Sequence, residues 1–366
     1  MNATYVNVDE SHLGKTIAKD IFANTQYPIV NKNTIISEEL LHVFKVFQIS
    51  KILIYKENEI EKKNIEQNNL QLTDSTNNVI EIQVNPFETD YYEAVNQFKK
   101  EFMKWQSGSK VDIVKIRAII LPLIEKVLND RSIIFDLNNY SNTKDYVYHH
   151  SVATGLISSI IAQRLGYELG VTIQIALAGI LADCGMAKVP ARILEKKHAL
   201  NQNEYTEIRK HPIYSYQMVK DLPALKDTMK KAIIEHHERL DGSGYPRGLR
   251  IDEISTFSQI LAVADTFHAM TSERIYRSKQ SPFKVVEMIK ENEFGKFDIK
   301  VVSALMNIVV ELPIGTKIEL SNLERGEVMF VNKYAPTRPL VKSMKTGTII
   351  DLSKERNIYI KRILTN

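Results

Sequence analysis

The sequence is poor in everything that would suit an oxidising or a membrane setting. Cysteine occurs once in 366 residues, as Cys184. One thiol excludes an internal disulfide and fits a reducing cytoplasm. No apolar run is read as reaching the ~20 residues that span a bilayer. The start, residues 1–8, lacks a basic stretch followed by an apolar core, so no secretory signal is expected. Neither sign of charge dominates: 48 Lys and Arg against 44 Asp and Glu give a net +4. That excess, without a basic tail, argues against a nucleic-acid polymer or a membrane as partner. No internal repeat is found. What remains is a globular composition, 44% hydrophobic and 25% charged, in a chain long enough for two or three domains.

The apolar pattern changes twice along the chain. Over residues 1–60, short apolar runs alternate with turn signals. Pro28-Ile29-Val30 and Ser50–Tyr55 read as strands, and Glu38–Phe47 as an amphipathic helix, so this is a small α/β module. Residues 61–85 form a polar connector whose Asn-, Glu-, Lys- and Gln-rich character begins at 56. From 86 to about 310 the period is helical, with a lead-in over 86–140 and a main bundle over 141–310. Asp112–Leu128 and Val152–Leu165 are its clearest helices. Beyond 311, runs such as Lys317–Leu320, Gly326–Val331, Thr348–Asp351 and Asn357–Ile360 predict a small antiparallel β module. The expected fold is therefore multidomain and mainly α.

Chemistry concentrates in His236-His237-Glu238-Arg239-Leu240-Asp241-Gly242-Ser243-Gly244-Tyr245-Pro246. Neutral imidazole is a common ligand for zinc, iron and manganese. The glycines permit left-handed backbone or close approach to a ligand. The helical region holds further potential ligands, each read as lying at or near the end of an apolar helix: His150, Asp183, His211 and Asp265. A carboxylate at the end of a buried helix is costly unless paired or metal-bound. Adjacent helical residues point ~100° apart, so His236 and His237 reach one ion only near a helix end.

These residues resemble the HD-GYP family of bacterial cyclic di-GMP phosphodiesterases over roughly residues 140–310. The lead-in Tyr148-His149-His150-Ser151-Val152, the Lys210-His211-Pro212 step, Ala264-Asp265-Thr266-Phe267 and Ala269–Arg277 also match. Weaker matches lie in the flanking modules, at Gly14–Ile21 and Asn322–Val328. The resemblance implies an all-helical HD-type bundle holding two or three metals, often iron or manganese. His211, His236 and His237 would hold one ion, Asp183 would bridge, and His150 and Asp265 would help hold a second. Gly244, Tyr245 and Pro246 would contact substrate, and Arg274 and Arg277 its phosphates.

The family's His-Asp signature is altered here. Ala182 replaces a metal-binding histidine, Met186 replaces a lysine, and Tyr146 stands where trimetal members have glutamate. Lys188 is a candidate stand-in for the lost lysine and, with Asp183, a candidate catalytic residue. The expected function is cyclic di-GMP hydrolysis to pGpG or GMP, at a rate lowered by Ala182 and Met186, in a cytoplasmic protein. Two alternatives stay open: an inactive cyclic di-GMP sensor or scaffold, and a hydrolase of another nucleotide phosphoester. A homodimer through Asp112–Leu128 is also open. Plainer roles are expected of His149 (surface or flanking), His198 (solvated), His268 (structural) and Cys184 (core). Glu238 and Asp241 are expected to orient the His pair or cap the turn.

Overall fold

A computed structural model describes residues 3–21, 30, 32, 34–37, 40, 41, 44, 49–55, 86–196, 198–273, 279–291 and 294–364. The chain divides into two compact units, 1–82 and 83–366. In the first, β1 (Ala3–Asn7) pairs antiparallel with β2 (Lys51–Tyr55), Tyr5 facing Leu53. Isolated bridges join Thr16 to Ile35, Ile17 to Ile54 and Ile21 to Val30. Ile17, Ile36, Phe44, Ile52 and Ile54 fill a small core. Most of the expected Pro28–Val30 strand and Glu38–Phe47 helix, and the whole connector from 56, lie outside the described residues.

The second unit is mainly helical. Its longer helices are α1 (Pro86–Gln106), α2 (Ile113–Asn129), α3 (Tyr146–Arg164), α4 (Leu169–Leu181), α5 (Gln202–Ile208) and α6 (His211–Val219). These are followed by α7 (Asp227–Glu235), α8 (Thr256–Thr271), α9 (Pro282–Glu291) and α10 (Ile299–Val309). α3 is buried on every side from His149 to Ala162, as a helix must be when it runs through the middle of a bundle. α4 is equally central, with Ile175 through Leu181 buried. The segment Leu169–Lys188 that contains it is long and apolar enough to cross a membrane, contrary to the sequence reading; 61% of it is buried in this unit. Asp183 and Lys188 interrupt the run, but the average over the segment stays apolar.

α2 starts where Asp112 accepts hydrogen bonds from the Val114 and Lys115 N–H groups, satisfying donors that the first turn leaves open. Its apolar stripe, Ile116, Ile119, Ile120, Leu123, Ile124 and Val127, faces the core. That stripe is therefore not free to form the dimer interface considered from the sequence.

A five-stranded antiparallel sheet closes the unit, in the order β6-β5-β4-β3-β7. The strands are β3 (Lys317–Leu320), β4 (Arg325–Phe330), β5 (Leu340–Ser343), β6 (Ile349–Asp351) and β7 (Ile360–Ile363). β5 is absent from the sequence reading, and the last strand falls three residues later than expected. Ile318, Leu320, Val328, Val341 and Ile360 join the same apolar core as the helices. A buried ion pair fastens the join. Arg338 sets Nε 2.6 Å from Glu287 Oε1 and Nη2 2.7 Å from Oε2, while Thr337 Oγ1 donates to Oε1 at 2.7 Å. Such a two-pronged guanidinium–carboxylate contact fixes orientation as well as contributing energy.

Candidate metal centre

The adjacent histidines sit at a helix end. α7 stops at Glu235, and His236 follows in helical conformation as its cap. The next residues fold back, with the Tyr245 N–H donating to the His237 carbonyl at 3.1 Å. The loop presses so closely on the chain before it that a Cβ at Gly244 would lie 2.4 Å from Arg239 N and from Glu238 Cα. Only glycine fits there. Glu238, fully buried, accepts from the backbone N–H of Arg247 at 2.7 Å and of Leu249 at 2.9 Å, clamping the far end of the loop. Asp241 accepts from Ser243 N and Oγ, so it caps the turn.

Asp183 is placed by a second close approach. A Cβ at Gly185 would stand 2.2 Å from His211 O and 2.4 Å from Ser215 N. Glycine therefore lets the turn after α4 lie against the start of α6. Ser215 Oγ completes the contact by donating to the Ala182 carbonyl at 2.6 Å and accepting from Gly185 N at 2.8 Å.

Six sequence-selected residues meet here. One donor atom from each of Asp183, His211, His236 and His237 lies within 4.8 Å of the others, and His150, Asp183 and Asp265 form a second such group. Asp183 is common to both. His150 comes from the first turns of α3, near a helix end as expected, whereas Asp265 comes from the middle of α8 and not from its end.

The donor set fits a divalent cation. His211 Nδ1 lies 2.7 Å from the Ile208 carbonyl and His236 Nδ1 lies 2.6 Å from the Ile233 carbonyl. A carbonyl only accepts, so each ring proton sits on Nδ1 and each Nε2 carries a lone pair. Those two Nε2 atoms face one another at 3.3 Å, with Asp183 Oδ1 at 3.0 and 3.4 Å. Asp183 Oδ1 accordingly has no hydrogen-bond donor. Three lone pairs converging without a proton are repulsive unless a cation lies among them. Backbone carbonyls holding the remote ring nitrogen are the usual support of a metal-binding histidine.

The second group is built differently. His150 Nε2 lies 2.8 Å from Asp265 Oδ1 and 3.5 Å from Asp183 Oδ2. Its Nδ1 faces His268 Nδ1 at 2.9 Å and the Tyr146 hydroxyl at 3.1 Å, and the Tyr146 ring stacks on the His150 ring. His268 in turn lies 3.1 Å, through Nε2, from Ser272 Oγ. His268 is fully buried against His150, where the sequence suggested only a structural role.

Electrostatics agree with this arrangement. Burial alone would raise the Asp183 carboxyl, and positive charge at the His211, His236 and His150 positions holds it well below 3.8; with His211 and His236 offering lone pairs, a cation among them would supply that charge. Asp265 is likewise pushed up by burial and held down more strongly, first of all by its hydrogen bond with His150. Burial, and then the neighbouring His236, pushes His237 well below 6.5, leaving it neutral and able to ligate. Burial and the two carboxylates raise Tyr245, which stays a protonated donor beside the cluster.

Other expectations fare variously. Lys188 is exposed and its Nζ donates to the Trp105 carbonyl of α1 at 2.9 Å. It is thus directed to α1 and makes no contact with the cluster among the described residues, so it does not replace the missing lysine. Ala182 is buried in the apolar core and Met186 packs against it. His149 is buried and packs against Tyr91 and Tyr92, not at the surface. Arg274 and Arg277 lie outside the described residues.

Comparison with known proteins defines the class first. A family profile described as an HD domain matches residues 128–301. Among curated proteins, the cyclic di-GMP phosphodiesterase PdeB of Borreliella burgdorferi is 28% identical over 58% of this chain and 56% of its own. The cyclic di-GMP phosphodiesterase PA4108 of Pseudomonas aeruginosa is 28% identical over 66% of this chain and 58% of its own. A 3'3'-cGAMP-specific phosphodiesterase 3 of Vibrio cholerae is 33% identical over 46% of this chain and 36% of its own. The match spans little more than half the length of the first two relatives. Among solved structures, Bd1817, an HDG"Y"P protein from Bdellovibrio bacteriovorus, aligns with a TM-score of 0.50 at 16% identity, over 84% of this chain and 99% of its own. That likeness concerns the fold. The chain carries an HD domain over residues 128–301, and the relatives it is similar to are named as cyclic-dinucleotide phosphodiesterases.

Proposed function

We propose that this protein is a divalent-metal-dependent phosphodiesterase that hydrolyses cyclic di-GMP, with activity lowered by Ala182 and Met186. The carrying observation is the convergence of His211, His236 and Asp183 lone pairs beside a second group that shares Asp183. The relatives named as cyclic di-GMP or cGAMP phosphodiesterases support a cyclic dinucleotide as substrate. His211, His236, His237 and Asp183 would hold one ion, and His150, Asp183 and Asp265 a second, with iron or manganese our assignment. When bound, such ions polarise a phosphate and make hydroxide available from water at neutral pH.

The chain's own residues do the rest. Asp183 turns Oδ1 to one group and Oδ2 to the other, fixing their separation. Tyr245, stacked on His237 with ring centroids 4.6 Å apart, keeps its hydroxyl proton and offers it to a bound ester. Arg274 and Arg277 are proposed to take phosphate oxygens, which guanidinium forks suit. Hydrolysis adds water across one P–O bond and frees a 3' hydroxyl, giving pGpG, or GMP after a second cut. All six ligand candidates come from one chain, so the reading needs no second copy. A cytoplasmic location suits this substrate and the single cysteine.

A second reading is favoured by one observation. Ala182 and Met186 put an apolar side chain at both positions where the resemblance calls for a ligand and a cation. A protein so altered would bind the dinucleotide without cutting it. Anaerobic incubation with cyclic di-GMP and iron or manganese, followed by chromatography of the products, separates the two. Release of pGpG or GMP supports the enzyme. Retention of uncut nucleotide supports the sensor.

A further inference from the structure

The cations around the His/Asp cluster are not equally available. Lys210 lies 2.7 Å from Glu207 Oε2, and Arg247 lies 2.8 Å from Glu235 Oε1. Arg239 is spent on the His236 and Glu238 carbonyls and on Thr266. Lys188 is held by Trp105. Arg209, at the end of α5 and two residues before His211, differs from all of these. Its guanidinium carbon sits 4.4 Å from the centre of the Tyr245 ring and 5.9 Å from that of Tyr205. Among the described residues it has no carboxylate partner, and no hydrogen bond uses its guanidinium N–H groups. The Tyr245 ring beneath it stacks in turn on His237.

A guanidinium lying on an aromatic face is oriented but not neutralised. Its five N–H donors stay in plane, in the fork that matches phosphate oxygens. One ring separates it from a candidate metal ligand, so it stands beside the reacting position and not on it. A cyclic dinucleotide has a second phosphodiester beside the one that is cut. We propose that Arg209, seated on Tyr245, is a substrate-binding residue that takes the phosphodiester not being hydrolysed, and that it supplies the cation lost at Met186. This rests on the cyclic-dinucleotide reading above and adds a residue that the sequence resemblance did not select.

The test is equilibrium binding of a hydrolysis-resistant phosphorothioate analogue of cyclic di-GMP to the full chain, with bound metal quantified in every sample. Arg209→Ala is expected to weaken binding about 10- to 100-fold, as loss of a charge-assisted contact does, and to flatten its dependence on salt. Arg209→Lys is expected to recover only part, because an ammonium lacks the fork. Metal content should match the parent in both. A dissociation constant within twofold of the parent for Arg209→Ala overturns the assignment. So does weakened binding with unchanged salt dependence, which would make the contact uncharged. A parent that holds metal yet binds no cyclic dinucleotide overturns the functional reading itself, and this inference with it.

Discussion

The two ligand groups share Asp183 but differ in how their histidines are held. In the first, His211 and His236 each pin the Nδ1 proton on a backbone carbonyl one turn earlier. A main-chain carbonyl has one protonation state, so these rings are committed to offering Nε2. In the second, the remote nitrogen of His150 meets another imidazole and a phenol. Each of those can donate or accept, so His150 has no such commitment. Ala182 adds to the contrast, since the resemblance puts a further nitrogen donor there. The backbone-held group should therefore bind its ion more tightly than the side-chain-held group.

Substitutions should separate the two groups. The largest effect is expected of Asp183→Asn, which weakens the one residue common to both. Outer partners of a metal ligand are worth 10–100-fold in affinity, so loss of the shared carboxylate should cost more than ~100-fold at both positions, read by metal content and turnover. Next, His236→Ala should empty the tighter position, while His150→Ala should empty only the weaker one and leave about one ion per chain. Equal losses from both would erase the distinction. Ala182→His should act in the opposite direction, raising affinity at the weaker position by ~10–100-fold and turnover with it. His268→Ala should lower affinity at the weaker position alone by about 10-fold, with Ser272 left unpartnered. The smallest effect is thermal. Chelation should lower the melting temperature by a few degrees, because an ion that binds only the folded chain stabilises it by mass action, and Asp183→Asn should abolish that difference.

How much of this was legible in the sequence depends on whether local pattern or distant packing sets the feature. The six ligand candidates were readable, because polar residues interrupting apolar helices are conspicuous. Their grouping around Asp183 rested on the family resemblance, and the geometry brings together the same residues. Asp265 was misplaced at a helix end because the apolar run stops there, yet α8 continues to Thr271. The fate of Lys188 was not readable, since it depends on a carbonyl of α1 some eighty residues earlier. The burial of His149 likewise depends on Tyr91 and Tyr92 from α1. β5 was missed because Leu340–Ser343 is four residues long and carries too little alternation to stand out. Arg209 gave no signal, because a lone arginine before Lys-His-Pro looks like any solvated helix end until Tyr245 folds over to meet it.

The most direct test of the account is metal stoichiometry measured together with cyclic di-GMP turnover, in one anaerobic preparation titrated with iron or manganese. The account predicts one ion bound tightly and a second bound more weakly, with turnover rising only as the second position fills. Two ions of equal affinity, or turnover already complete with one ion bound, would contradict it.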